Sequence, residues 1–358
     1  MKECPSFKVS VGFPVFGLGF TTNNELIVAG GGGAGRSGVK NKLVKYTIDV
    51  RRNDFEEDAM YEISSEEDAP MSLAVHPKTN AVVAGINASQ TSMAEGINNN
   101  CRLFDTDEIE FTLVKSVQSL KSKSPEDFQK AARFSKDGSL VATGTTDGMV
   151  HVFEYPSMTT LTSVQVVEGD DVLDVDINAD STKLTAVTPQ ALKLINLRGR
   201  HAGEIIQSVS SAVIDKKSKL QFRGFRYGTG YSENLAFAIV NGVGKIGQIC
   251  LLDPHTLEIK KTLMVSKKPV TAFCLSMDGS LVAVATADLS VSLYEATSLQ
   301  LLTHIKNAHS FSITSLAISP SRRMLVSASA DNTCRVTDLP LQFPASTPRL
   351  FLLFADRN

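Results

Sequence analysis

Along most of the chain, apolar and polar residues alternate with a period of two, in runs of strand length broken by turn residues. The runs follow a fixed order. A strand leads to a tight polar turn, a second strand ends in small residues, and a third strand ends near an acid. This order is clearest in FQKAARFSKDGSLVATGTTDGMVHVFE (128–154), VTAFCLSMDGSLVAVATADLSVSLYE (270–295) and ITSLAISPSRRMLVSASADNTCRVTD (313–338). Weaker copies begin at Phe16, Met71, Val172 and Phe222. Asp137-Gly138 and Asp278-Gly279 predict two-residue hairpins that need positive φ. Helix signals are nearly absent, and SPEDFQKA (124–131) is the one place where a helical turn is expected.

Seven such units over 358 residues give roughly 45–50 residues each, the period of a four-stranded propeller blade. The predicted fold is therefore all-β, a single seven-bladed β-propeller over residues 1–341 with a tail at 342–358. Propellers must close, and Phe7 to Val11 (FKVSV) reads as the outer strand of the last blade.

Charge removes some functions. With 36 Lys+Arg against 38 Asp+Glu the net charge is −2, which argues against a nucleic-acid binder held by phosphate contacts. Cys4, Cys101, Cys250, Cys274 and Cys334 form no CxxC pair, and the expectation is reduced, packed thiols. The N-terminus has no signal-peptide pattern, and no apolar run approaches the roughly 18 residues of a membrane span. The expectation is a soluble chain, although its tail carries five apolar residues in a row, Leu350 to Phe354.

One segment stands out. From Gly30, the last residue of ELIVAG, the chain runs GGGGAGRSGVKNKL, with six glycines among the fourteen residues 30–43, where a hairpin connection needs two to five. Residues 33–38 spell GxGxxG, yet a strand pattern follows rather than a helix, so no helix N-terminus faces a pyrophosphate. A Walker-type loop fails because Val39 stands where Lys-Ser or Lys-Thr is needed. Two readings stay open. The loop is a floppy insertion, or it is ordered and functional. In the second, glycines allow carbonyls to converge without Cβ clashes. The stretch from Gly30 to Ala34 has no carboxylate, so a cation there would meet neutral oxygens, which suits a monovalent ion such as potassium. Asn41 can brace the returning limb by side-chain hydrogen bonds.

The last unit, AHSFSITSLAISPSRRMLVSASADNTCRVTD, resembles the WD-repeat propellers, with His309 and Asp331 at the positions of that family's His and tight-turn Asp. The chain has no Trp at all. Thr337 stands in for the Trp here, and residues around Glu154, Glu295, Asn196 and Asp253 do so elsewhere. These are degenerate repeats, with a His–Asp network complete in at most one blade.

VGFPVFGLGF (11–20), VAGGGG, SGVKNKL, EEDAP (66–70), AHSFSIT and DLPLQF together resemble the Sec-twelve type exchange factors that activate the Sar-type small GTPase at the start of COPII coat assembly. The resemblance covers all seven blades in order. It implies a potassium-stabilised glycine loop projecting from blade one, with Gly31, Gly32, Gly33, Gly35 and Asn41 as ion ligands. It also implies that Val39, Asn41, Asp68 and Pro70 contact the GTPase. The function implied is guanine nucleotide exchange without bond chemistry, at the cytosolic face of the endoplasmic reticulum, with membrane attachment only through an anchor absent from this chain. Read without the resemblance, Asp68 belongs to a solvated acidic run and Pro70 is a strand-entry residue. A propeller of the same ancestry that only tethers the GTPase or a coat component is the alternative. No GxSxG, HExxH or paired-Cys motif supports a hydrolase.

Overall fold

A computed structural model of the chain describes residues 4–35, 37–106, 110–120, 122–214, 219–242 and 246–343. Seven four-stranded antiparallel sheets form the seven blades. Six of them use four consecutive strands. Blade one, for example, comprises Val15–Phe20, Leu26–Gly30, Lys42–Asp49 and Asp54–Glu62. The seventh takes its outer strand from the other end of the chain. Ser6–Ser10 pairs antiparallel with Thr333–Asp338, one residue earlier than the expected 7–11. The expected tail at Leu350 to Phe354 lies outside the described residues.

Blades cohere because neighbouring sheets bury their apolar faces against each other. Seven hydrophobic clusters lie at the seven junctions. Val28 and Val44 of blade one pack with Val326 and Val336 of blade seven, and Leu43 with Val82 and Phe104 of blade two. Five inner strands carry a bulge near their start, for example between Gln129 and Ala131 and between Val270 and Ala272. Bulges raise the local twist that a blade needs.

The strand order fixes which loops share a face. Each strand reverses the direction of the one before it, so connections from second to third strand and from blade to blade emerge together. Residues 31–41 of blade one, residues 63–71 between blades one and two, and residues 86–100 of blade two therefore lie on one face.

The structure corrects two details of the sequence reading. At Asp137-Gly138 only Gly138 has positive φ, at 82°. Ser135 N–H donates to the Leu140 carbonyl at 2.9 Å, so the loop is four residues long. Asp137 closes it by accepting from Ser135 Oγ and Ser139 N. Residues 124–127 form a single non-helical turn, closed by Asp127 N–H on the Ser124 carbonyl, and the one α-helix among the described residues is Gln90–Ala94, capped by Ser89 Oγ.

Blade seven holds the His–Asp network. His309 Nδ1 lies 3.3 Å from Asp331 Oδ1 and 3.0 Å from Thr333 Oγ1, while Nε2 lies 2.9 Å from Ser327 Oγ. In blades three and six the turn acids Asp147 and Asp288 accept from Thr145 and Thr286 instead. The position before the strand-ending acid is filled by Phe153 and Tyr294, both buried, so aromatic packing replaces the missing indole there. All five cysteines are free and four are buried.

Burial lowers the pKa of His309 despite the pull of Asp331. Burial also pushes Asp331 up, but hydrogen bonds from Thr333 and Ser310 outweigh it and hold the carboxyl well below the usual range. Lys8 and Arg335 also face the pair. The neutral imidazole therefore contributes stability that is full above the unfolded value of about 6.5 and is lost as pH falls through the folded value. Asp331 adds a second loss below about pH 4. His309→Gln should lower stability at pH 7 by about 2–3 kcal/mol, as expected for a broken buried network. It should also flatten the fall in stability between pH 7 and pH 5. Urea melts of both proteins across that range check both outcomes, and parallel pH slopes would contradict this assignment.

Candidate functional site

The glycine segment joins Leu26–Gly30 to Lys42–Asp49 through residues 31–41, and Gly30 pairs with Lys42 at its base. Its first half is a close-packed bend. Gly31 has φ 150°, and a Cβ there would fall 2.2 Å from Asn41 Oδ1 and 2.5 Å from Asn41 Cα. A Cβ on Gly32 would meet Ser37 Oγ at 2.0 Å. Only glycine fits where the two limbs touch.

Asn41 holds the limbs together. Its Oδ1 accepts from Gly33 N–H at 2.9 Å, and its Nδ2 donates to the Gly33 carbonyl at 3.2 Å and to the Glu67 carbonyl at 2.9 Å. Asn41 is 2% exposed. Asp68 makes the second clamp, with Oδ1 accepting from Ala34 N–H at 3.1 Å and Ala69 N–H at 2.8 Å. Pro14 O receives Gly31 N–H at 2.9 Å, and Ser37 Oγ receives Val39 N–H at 3.2 Å.

This clamp rests on blade two. The Glu67 carboxylate pairs with Arg102 of strand Cys101–Thr106 at 2.5 and 3.2 Å. Asp68 N–H donates to the Asn87 carbonyl at 3.1 Å, and Asn87 Nδ2 reaches the Asp127 carbonyl at 2.7 Å. Asn98 donates to Asn87 Oδ1 at 3.2 Å. Asn87, Asn98 and Arg102 are buried. A buried polar chain of this kind gains strength from the low local dielectric and is costly to break at one link.

The residues singled out in the sequence separate into two groups. Ala34, Gly35, Ser37, Gly38 and Lys40 form the exposed rim, and Arg36 lies outside the described residues. Asn41 and Pro70, expected as partner contacts, are buried in the chain alone, Asn41 beneath the loop and Pro70 at the entry to blade two. Val39 is half-buried and packs on the cluster of Phe13, Val15 and Val336. Asp68 is half-buried and tied to the loop rather than solvated with its acidic neighbours. Of the expected ion ligands, the Gly33 carbonyl already accepts from Asn41 Nδ2 and Gly35 N–H, and Asn41 Oδ1 accepts from Gly33 N–H. An ion would have to draw on the remaining oxygens.

Sequence reasoning missed the neighbouring insertion at residues 86–100. It carries the short helix and a 55% exposed Ile97 on the same face. Ser89 followed by Ser92 was the available signal, a cap too weak to announce a helix of one turn.

The chain is a seven-bladed β-propeller, and the family described as WD domain, G-beta repeat matches its residues 115–154 and 300–338. The resemblance to SEC12-type guanine nucleotide-exchange factors holds over most of its length. SEC12-like protein 2 of Arabidopsis thaliana is 27% identical, covering 85% of this chain and 73% of the relative. The guanine nucleotide-exchange factor SEC12 of Candida glabrata is 26% identical over 94% of this chain and 72% of its own length. That of Mus musculus is 22% identical over 92% and 89%. The crystal structure of Chaetomium thermophilum Raptor shares the fold with a TM-score of 0.71 at 13% identity, covering 95% of this chain and 29% of that one.

Asn41→Ala removes three hydrogen bonds worth about 1 kcal/mol each. The loop should open while the propeller persists. Amide exchange at residues 31–40 should rise about a hundredfold, with the blade strands still protected. Unchanged protection in the loop would show that the clamp does not hold it.

Proposed function

We propose that this chain is a guanine nucleotide exchange factor whose partner is a small GTPase of the Sar type, acting at the cytosolic face of the endoplasmic reticulum to start COPII coat assembly. The likeness to SEC12-type factors supports the class of function. The observation that carries the mechanism is the double clamp of Asn41 and Asp68, which makes an eleven-residue, glycine-rich connection a shaped projection.

The chemistry is displacement. A GTPase holds its nucleotide with phosphate-loop amides, a Lys and Mg²⁺, closed over by ordered switch segments. A partner that binds the open, nucleotide-free form more tightly must weaken nucleotide binding by the same free energy. A thousandfold faster release needs about 4 kcal/mol of preference for the open transition state, at about 1.36 kcal/mol per decade. A loop ordered in advance does not spend that preference on its own freezing, which for glycine is the largest backbone cost of any residue. The exposed rim of Ala34, Gly35, Ser37, Gly38 and Lys40 meets the switch segments. Val39 supplies an apolar edge at its base, and Asp68 is a positioning residue that fixes Ala34. Asn41 and Pro70 act from inside.

A potassium ion stays part of this proposal as a further brace on the oxygens of Gly31, Gly32 and Gly35, and no step of the exchange runs through it. Attachment to the membrane belongs to the same reading and would depend on an anchor outside this sequence. The displacement proposed here needs no bond chemistry from the chain itself.

Nucleotide release from a purified Sar-type GTPase tests the proposal. The chain has no Trp, so the GTPase tryptophan signal is read without background. Release should accelerate at micromolar protein, and Asp68→Ala and Val39→Asp should each cut the acceleration at least tenfold while preserving the fold. Replacing potassium by lithium should slow exchange if the ion braces the loop, and an unchanged rate would remove it. Complex formation without faster release would leave only a tethering propeller.

A further inference from the structure

A specific protein interface takes about 20–30 residues from each side. The exposed rim of the glycine loop has five described residues, Ala34, Gly35, Ser37, Gly38 and Lys40. A partner engaged by the loop must therefore also rest on neighbouring connections of the same face. Three large apolar side chains are exposed on that face among the described residues: Ile97 at 55%, Phe311 at 63% and Val213 at 66%. Val213 ends the short turn Ser211–Val213 between blades four and five, across the ring from blade one. Ile97 belongs to blade two and Phe311 to the connection that enters blade seven, so these two flank blade one.

Both flanking side chains stand on fixed backbone. The Phe311 carbonyl accepts from Ser329 Oγ at 3.0 Å, the Ser312 carbonyl accepts from Ala330 N–H at 3.1 Å, and Ser310 N–H donates to Asp331 Oδ2 at 2.8 Å. The acid of the His309–Asp331 network thus holds the segment that carries the aromatic ring. Two bonds lead from there to the loop, Thr314 Oγ1 to the Val15 carbonyl at 2.6 Å and Gly31 N–H to the Pro14 carbonyl at 2.9 Å. On the other flank Ile97 N–H donates to the Ser92 carbonyl at 2.9 Å. Asn98, the next residue, accepts from Ala88 N–H at 2.9 Å and donates to Asn87 Oδ1, and the Asn87 carbonyl takes Asp68 N–H of the loop clamp. Neither Ile97 nor Phe311 belongs to a junction cluster of the ring. A large apolar side chain on backbone fixed in advance gives up little freedom on docking, which suits an interface hot spot.

We propose that Phe311 and Ile97 are apolar anchors that seat the small GTPase across blades seven, one and two, one on each side of the glycine loop. The proposal rests on the exchange function above and names where else the same partner is held. The anchors touch the GTPase outside the switch segments that the loop meets, so they bind its nucleotide-loaded and nucleotide-free forms alike. Uniform binding of that kind lowers the concentration needed for half-maximal exchange and leaves the limiting rate unchanged. The anchors orient the partner, and the loop, the one element that discriminates between its two forms, sets the rate.

Nucleotide release from the purified Sar-type GTPase, followed at rising concentrations of the whole chain, gives the half-saturating concentration and the limiting rate separately. Phe311→Ser should raise the half-saturating concentration about tenfold and Ile97→Ser about fivefold, with limiting rates within about twofold of the parent chain. Val213→Ser, equally exposed but across the ring, should change neither quantity, and Asp68→Ala should lower the limiting rate instead. Acceleration by the parent chain with half-saturation unmoved in either anchor variant overturns the anchors and leaves the exchange function standing, and so does an equal loss in Val213→Ser. If the parent chain binds the GTPase without accelerating release, calorimetric affinity weakened by both anchor substitutions keeps the anchors and removes exchange. Affinity equal in all variants, or no binding at all, removes both.

Discussion

Everything in this structure depends on closing the ring. No blade can bury both of its faces alone, and each apolar cluster is shared by two neighbours. The closing contact joins the two ends of the chain. Ser6–Ser10 completes the sheet of Ile313–Ile318, Met324–Ser329 and Thr333–Asp338, and Thr314 Oγ1 reaches the Val15 carbonyl at 2.6 Å across the junction. Cutting that seam would expose Val326 and Val336 on one side and Val28 and Val44 on the other. A side chain of that kind buried fully contributes about 1.5–3 kcal/mol. The seam is therefore far stronger than any single hydrogen-bond network within one blade. This explains how six blades dispense with the full His–Asp set while blade seven, which carries the seam, keeps it.

The regular part of this architecture was legible in the sequence because strand alternation and turn residues are local. The repeating order of strands located the blades, and His309 with Asp331 marked the last one. What was not legible depends on tertiary partners. The four-residue loop at Asp137 looks like a two-residue hairpin until Ser135 is seen closing the pair with Leu140. The helix Gln90–Ala94 is too short to have a period. Burial of Asn41 and Pro70 follows from blade two, which a reading of the loop residues alone cannot include. The same holds for Asp68: within EEDAP it is one acid among several, and its bonds to Ala34 and Ala69 come from how the two segments meet.

The polar chain beneath the glycine loop shows where the loop's order comes from. Eleven residues with five glycines among them, residues 31–41, have little apolar surface to bury, so packing cannot fix them. Their backbone groups are instead tied to Asn41 and Asp68, and those side chains are tied to Glu67, Arg102 and Asn87. Arg102 and Asn87 sit on blade two, a part of the ring that cannot move without opening a junction. Stiffness is thus passed from a closed hydrophobic ring to a polar loop through buried hydrogen bonds. A substitution at Arg102, far from the exposed rim, should therefore act on the loop by leaving Glu67 without its cation.

The two faces of the ring divide the labour. On one face blades one and two carry long connections, residues 31–41, 63–71 and 86–100, held by side-chain-to-backbone bonds, which suits a surface that must present the exposed rim to another protein. On the other, Lys136 closes over the end of the central channel, donating to the carbonyls of Tyr227 and Gly228 two blades away. The inner strands between the faces carry the buried carboxylates Asp174 and Asp176, with Asp174 bridging Arg226 of blade five toward Arg133 of blade three. These charges are remote from the loop clamp, and the bonds that satisfy the two sets share no residue.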